Sequence, residues 1–308
     1  MDNRHRIRLK INMTNNLTPL SEDPLPIDVV DSQIHLFRTM GLTNGLSAMD
    51  ALGIKSAVID EYWLYKDGAR DVFPGYRLPN GATRVIPFQA ELASIKHPDR
   101  FSYVVRLDHR DPGMRSWMRI VSDSPNARAI RLIVRTEDEL RAFANGEYRD
   151  CFVEASNAGL PIFLFIENGN IELSRLYLEE FSTVSVIADH LGMARKPGQF
   201  DNLIRLSNYG NLLVKWCHAE ITFGARSFPF KETHAPLRIA IDSFGADRIM
   251  WASDFTVRQQ EYSWIDRLTY LRDADFLTAQ EKFWILGGTA RKHLNWPAPK
   301  SGPDAATS

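Results

Sequence analysis

Eight short apolar runs recur along the chain, each closing on a polar residue: IDVVDSQIHLF from Ile27, IKSAVID from Ile54, FSYVVRLD from Phe101, ARAIRLIV from Ala127, LPIFLFIE from Leu160, TVSVIADH from Thr183, NLLVKW from Asn211 and RIMWASD from Arg248. They are rich in β-branched and aromatic residues and mostly free of charge, the pattern of strands buried on both faces of a parallel sheet. Between them lie stretches of helical character, GLSAMDAL, FQAELASIK, EDELRAFANGEYRDCFVEASNAG, IELSRLYLEEF, FDNLIRLSNYG, HAPLRIAIDSFG and LTAQEKFWILGG. Gly159, Gly210 and Gly245 stand where such helices would end, a residue or two before the next strand. Strand and helix alternate throughout, and eight strands close a barrel, so the pattern predicts an α/β fold, a (β/α)8 TIM barrel. Its strand ends converge on one face, which would bring Gln33, His35, His190 and Asp254 together from the first, sixth and eighth runs.

The pattern also sets boundaries. Residues 1–26 are polar, rich in Asn and end in Pro24 and Pro26, which suits an N-terminal arm that covers a neighbouring copy in a homo-oligomer or stays loose. Residues 297–308, PAPKSGPDAATS, carry no periodicity and read as a disordered tail, leaving 27–296 as one barrel domain. The segment from Glu61 to Arg84, after the second strand, is rich in Trp, Tyr, Gly, Pro and Arg. It is too long for a simple turn and predicts a long loop that walls or covers the open face. Ala219 to Lys231 is a second such segment.

Composition narrows the function. With 308 residues, 44% of them hydrophobic, the chain can bury one large core. Its formal net charge of −1 creates no field for nucleic acid or an anionic membrane, which leaves a small-molecule substrate as the expected partner. Cys151 and Cys217 lie in separate segments without metal spacing and read as two buried thiols rather than a disulfide framework or zinc ribbon. The first residues lack the apolar core of a signal peptide, and no run approaches the roughly 18 residues that cross a bilayer, so a cytoplasmic protein is expected.

On a strand, Asp31, Gln33 and His35 share a face, and polar groups in succession on an inward face are costly unless used. Taken in order, IDVVDSQIHLF, ARAIRL, VIADHLG, NLLVKW and RIMWASDF resemble the strand motifs of amidohydrolase family 2: Asp-x-His-x-His, Gly-x-Arg, Asp-His-x-Gly, Val-Lys and Gly-Ser-Asp-Trp. The resemblance implies a barrel enzyme with its site at the C-terminal strand ends. Metal-using members hold a divalent ion with two histidines on the first strand, one on the fifth, one on the sixth and an aspartate on the eighth. Here Gln33 and Phe165 occupy two of those places. The resemblance is therefore to the lactonase branch, which includes pyrone-dicarboxylate hydrolase and sugar-lactone hydrolases, several of which work without metal. No cofactor is expected. If one divalent ion, Zn or Mn, is bound, His35, His190 and Asp254 are the ligands that remain.

Metal-free lactone hydrolysis needs a base for water, donors for the carbonyl oxygen and an anchor for the rest of the substrate. Asp254 is the candidate base, its pKa expected to be raised by desolvation. His35 and His190 are candidate donors to the oxyanion, and Gln33 would orient substrate or water. Arg131 and Lys215 have two readings: they anchor a substrate carboxylate, or Arg131 forms an ion pair within the barrel and Lys215 faces inward or outward on a register that sequence does not fix. Asp31 and Asp189 are expected to orient the histidines. Glu61, Tyr62, Trp63, Glu167 and Asn168 either line the pocket or begin loops, and His109 reads as a loop residue. The expected activity is a hydrolase opening a carboxylate-bearing lactone or similar cyclic ester. A metal-dependent hydrolase, a nonoxidative decarboxylase of an aromatic acid and a noncatalytic binding homologue are the alternatives.

Overall fold

Eight parallel strands follow the eight apolar runs: β1 (Val29–Ile34), β2 (Ile54–Ile59), β3 (Phe101–Arg106), β4 (Ala127–Val134), β5 (Ile162–Ile166), β6 (Val186–Ala188), β7 (Leu212–Trp216) and β8 (Ile249–Trp251). They pair in chain order in one sheet, and helices fill the intervals between them, forming a (β/α)8 barrel. The structure is a computed structural model that describes residues 27–61, 63–64, 71–72, 75–256 and 262–299. The expected arm, 1–26, and residues 300–308 of the expected tail lie outside the described residues, as does Tyr62.

The seam between β8 and β1 is closed by individual bonds rather than a ladder. Ser32 Oγ donates to the Trp251 carbonyl at 2.6 Å, Ser253 N to Asp31 Oδ1 at 2.9 Å, and Asp254 N to the Gln33 carbonyl at 3.1 Å.

The barrel interior is layered. Val30, Val58, Val104, Ala129, Phe163, Ile187, Leu213 and Met250, one from each strand, form an apolar floor that continues into Ala290, Leu294 and Trp296. Because side chains alternate along a strand, the residues two places further on also point inward. Seven of these eight positions are Ser32, Asp60, Arg106, Arg131, Phe165, Asp189 and Lys215, so the second layer is mostly polar. β1 departs from this rule. Its register slips between Asp31 and Ile34, and after the slip Gln33 and His35 face inward while Asp31 turns to Ser253 and Trp264. The expectation that Asp31 shares a face with Gln33 and His35 is corrected by that irregularity.

The helical stretches differ from expectation at their ends. Gly159 adopts the left-handed cap after helix Arg149–Ala158. The stretch ending at Gly210 is helical only over Pro197–Ile204, and EDELRAFANGEYRDCFVEASNAG is two helices parted near Gly146, whose φ is 86°. The segment after β2 contains two short antiparallel pairs, Trp63–Leu64 with Asp71–Val72 and Gly75–Arg77 with Thr83–Val85.

Candidate active site

The polar second layer is an ion-pair chain that crosses the barrel. Arg106 grips Asp60 with Nε and Nη2 at 3.1 and 2.6 Å, and Asp60 also pairs with Arg131 Nη1. Arg131 Nε reaches Asp189 Oδ2 at 2.7 Å, and Asp189 Oδ1 meets Lys215 Nζ at 2.6 Å. Lys215 ends the chain by donating to Gln33 Oε1 at 2.8 Å, with its ammonium 3.5 Å from the Phe163 ring centre. All of these side chains are buried. Burial alone would raise both carboxyl pKa values, but the adjacent cations win: Asp60 is held far below the usual carboxylate range and Asp189 is lowered to about 2.

The barrel-ion-pair reading of Arg131 is therefore the one the geometry supports, and Lys215 points inward to the same purpose. Neither presents an uncommitted cation to a substrate carboxylate. Asp189 serves these two cations rather than a histidine, and Asp31 accepts from Ser253 and Trp264, so the expected imidazole-orienting roles of both aspartates are corrected.

Above this layer the strand ends deliver His35, His190 and Asp254 to one place, joined by two residues that the strand-end reading did not select, Cys217 and His218. Asp254 is the centre. His218 Nε2 lies 3.0 Å from its Oδ2, His190 Nε2 3.8 Å from the same oxygen, and His35 Nε2 3.3 Å from Oδ1. His190, Cys217, His218 and Asp254 each offer a ligand atom within 4.8 Å of the others. The backbone is bent to achieve this: His190, His218 and Asp254 have φ values of 48°, 57° and 43°, in the left-handed region that side chains with a Cβ seldom occupy. Three such residues at one site are strain retained where side chains must converge.

The hydrogen bonds fix the imidazole protons. His35 Nδ1 is 2.8 Å from the Asp60 carbonyl, which can only accept, so the ring proton sits on Nδ1. Its Nε2 then faces Asp254 either as an imidazolium donor or as a bare lone pair, and neutral His35 is not the oxyanion donor expected. For His218, burial opposes a charge, but Cys217, Asp254 and Glu220 outweigh it and hold the imidazole well above the ordinary histidine range, so Nε2 carries a proton aimed at Asp254 while Arg267 Nη1 stands 3.1 Å from Nδ1. Burial and the neighbouring His218 drive His190 well below the ordinary histidine range, leaving it neutral. Burial also pushes Asp254 upward, but its hydrogen bond with His218 and the His35 imidazole beside it outweigh that and hold it well below the usual range. The expected raised pKa is thus reversed.

Phe165, in place of an expected-family histidine, packs edge-to-face with His190, ring centres 6.2 Å apart, with the Arg131 and Arg135 guanidiniums 5.9 and 5.4 Å from its centre. Glu61 does not face the cluster. Its Oε2 accepts from Gln89 N and Ala90 N at the start of helix Phe88–Lys96, and burial raises it to about 7. A cavity of about 770 Å³ opens beside the ion-pair chain, beyond the ends of β3 and β4, lined by Arg77, Arg106, Arg110, Arg135 and Arg141 but also by Asp108, Asp138, Glu139 and Glu147, with His109 and Tyr148; His35, His190 and Asp254 are not in its wall. His109 stacks on Tyr148 with ring centres 4.0 Å apart, so it belongs to this wall rather than to a free loop.

A polar group suited to a divalent ion is present. Asp254 Oδ1 and His190 Nδ1 are buried without a hydrogen-bond partner among the described residues, and neutral imidazole with carboxylate is a set that Zn or Mn accepts. The expectation of a site without metal is left open by this geometry.

Residues 80–296 match the family model described as amidohydrolase. No curated protein matches the chain. Among solved structures, an amidohydrolase from Burkholderia multivorans with bound HEPES is 15% identical, covering 87% of this chain and 99% of its own, with a TM-score of 0.68. A second crystal form of that target holds zinc and aligns at a TM-score of 0.65, with 14% identity over 88% of this chain and 100% of its own. A candidate 2-pyrone-4,6-dicarboxylic acid hydrolase from Pseudomonas putida is 16% identical over 88% of this chain and 99% of its own, at 0.63. A 5-carboxyvanillate decarboxylase from Sphingomonas paucimobilis is also 16% identical, over 85% of each chain, at 0.59. At these identities the likeness is one of fold.

Proposed function

Because this chain belongs to the amidohydrolase family, we propose that it is a hydrolase that opens a lactone or similar cyclic ester bearing a carboxylate, with Asp254 taking the proton of the attacking water. The observation that carries this reading is one carboxylate, kept anionic by its neighbours, at the meeting point of three imidazoles at the mouth of the barrel. An anion there accepts a proton at neutral pH, and His35 Nε2, 3.3 Å away, is placed to share it and hand it to the leaving alkoxide. His218 holds Asp254 Oδ2, so the proton is taken at Oδ1, the oxygen without a hydrogen-bond partner.

The ion-pair chain beneath gives this base a rigid floor, and its cations lower the cost of negative charge developing above them. The cavity beside β3 and β4 offers an acidic substrate the arginines Arg77 and Arg135, although Asp108, Asp138, Glu139 and Glu147 line it too. A candidate pyrone-dicarboxylate hydrolase among the structural neighbours is consistent with that class. Where a divalent ion is bound, His190 and Asp254 would be among its ligands, and it would supply Lewis acidity toward the carbonyl and acidify the water. The decarboxylase alternative draws only on a neighbour's activity and has no feature of its own here.

The test is Asp254→Asn, which keeps the size of the side chain and tolerates the left-handed backbone at this position. Assayed against a panel of acidic lactones, turnover should fall by about 10²–10⁴-fold while substrate still binds. Undiminished turnover rules out Asp254 as the base, and activity of the wild type on aromatic acids alone, with release of carbon dioxide, replaces hydrolysis with decarboxylation.

A further inference from the structure

We propose that Cys217 and His218, at the exit of β7, complete a binding site for a thiophilic divalent cation of the zinc class with His190 and Asp254, in place of the ligands lost at Gln33 and Phe165. Two family ligand positions are empty of imidazole, yet two ligand-type side chains appear together on a strand end that contributes none of the ligands of the family pattern. Cys217 is no incidental core thiol. It stands two residues beyond Lys215 and four beyond the floor residue Leu213, so alternation turns all three inward, and its sulfur lies within 4.8 Å of the His190, His218 and Asp254 donor atoms.

The surrounding groups are arranged as they are around a bound cation. Asp254 Oδ1 and His190 Nδ1 are buried without a hydrogen-bond partner among the described residues. His35 Nε2 stands 3.3 Å from Asp254 Oδ1, its Nδ1 held by the Asp60 carbonyl. Glu220 Oε1, buried and ion-paired with Arg267 Nη2 at 3.4 Å, sits 3.8 Å from His218 Nδ1. Loss of the His218 Nε2 proton to solvent frees Nε2 as a ligand, and a proton on Nδ1 has the Glu220 carboxylate within 3.8 Å, the pairing that orients ligating histidines in metal sites. Arg267 Nη1, which now faces Nδ1, keeps its bond to the Ser253 carbonyl at 2.8 Å.

Binding forms a cation–sulfur bond and releases the Cys217 proton to solvent. Burial of the sulfur disfavours a free thiolate, so the proton leaves as the cation takes its place. Thiolate, imidazole and carboxylate together suit a tetrahedral borderline ion better than magnesium or calcium, which take oxygen ligands.

The experiment is cobalt(II) loading of the full-length, folded chain, read by absorbance and by metal per chain, and it does not depend on the substrate or on turnover. The expected result is about one cobalt per chain with a thiolate-to-cobalt charge-transfer band. Cys217→Ser should abolish the band and weaken retention by roughly 10-fold or more, while Cys151→Ser leaves both unchanged. Circular dichroism checks that each variant is folded. Cobalt bound without the band in the wild type, a band that survives Cys217→Ser, or a folded wild type that retains neither cobalt nor zinc overturns the proposal. Failure of Asp254→Asn to impair hydrolysis would strike the proposed activity and leave this result untouched.

Discussion

Lys215 Nζ and Gln33 Oε1 meet across the barrel at 2.8 Å, so the residue standing in for a first-strand histidine is bound to a buried ammonium. The same ammonium neutralises Asp189 at 2.6 Å. Removing it leaves the buried Asp189 carboxylate to Arg131 alone, and breaking one partner out of a buried ion pair typically costs about 3–5 kcal/mol. Lys215→Met should lower stability in urea by that order, and adding Asp189→Asn should recover much of the loss. A single variant as stable as the wild type would show that Arg131 alone satisfies Asp189.

Arg131 lies between Asp60 and Asp189, and its place in the ion-pair chain makes it a stability residue. Arg131→Ala should lower the Tm sharply and change KM equally for acidic and neutral substrates. A KM rise confined to acidic substrates, with the Tm intact, would return Arg131 to the role of a carboxylate anchor.

Glu61 sets a pH dependence of opposite sign to that of the barrel aspartates. Its folded pKa of about 7 lies above the ordinary 4.5, so its contribution is full below 4.5 and is lost as pH rises through 7. Glutamine still accepts from Gln89 N and Ala90 N without carrying charge. Glu61→Gln should therefore flatten the decline in Tm between about pH 5 and 8 and exceed the wild type at the upper end. At the acid end, Asp189, lowered from 3.8 to about 2, contributes stability above 3.8 that disappears as pH falls through 2.

Trp264 Nε1 donates to Asp31 Oδ2 at 2.7 Å, and burial raises that carboxyl to about 6. A hydrogen bond to a charged group contributes about 1.5–3 kcal/mol. Trp264→Phe should cost an amount of this order at pH 7.5 or above, where Asp31 is ionised, and less at pH 5, where it is protonated. An equal loss at both values in chemical denaturation would assign the effect to ring packing.

Much of the architecture was legible in the chain alone. The eight runs became the eight strands because uncharged, β-branched segments of that length have no other stable place than a sheet covered on both sides. The polar residues closing them marked the open face, and His35, His190 and Asp254 meet there because parallel strands must all end on the same side. The strand-end rule applied one residue beyond Cys217 would have found His218 as well.

What tertiary structure decided was the direction and occupation of each side chain. A one-residue slip reverses the face of every residue after it, and the irregularity in β1 turned Gln33 and His35 inward and Asp31 out. Arg131 and Lys215 looked like substrate anchors because sequence shows a charge without its partner. Asp60 and Asp189, on other strands, claimed them once the barrel closed. The pKa of Asp254 followed the same logic: burial can be guessed from an apolar run, but the two imidazoles that reverse its effect arrive from 36 and 219 residues away.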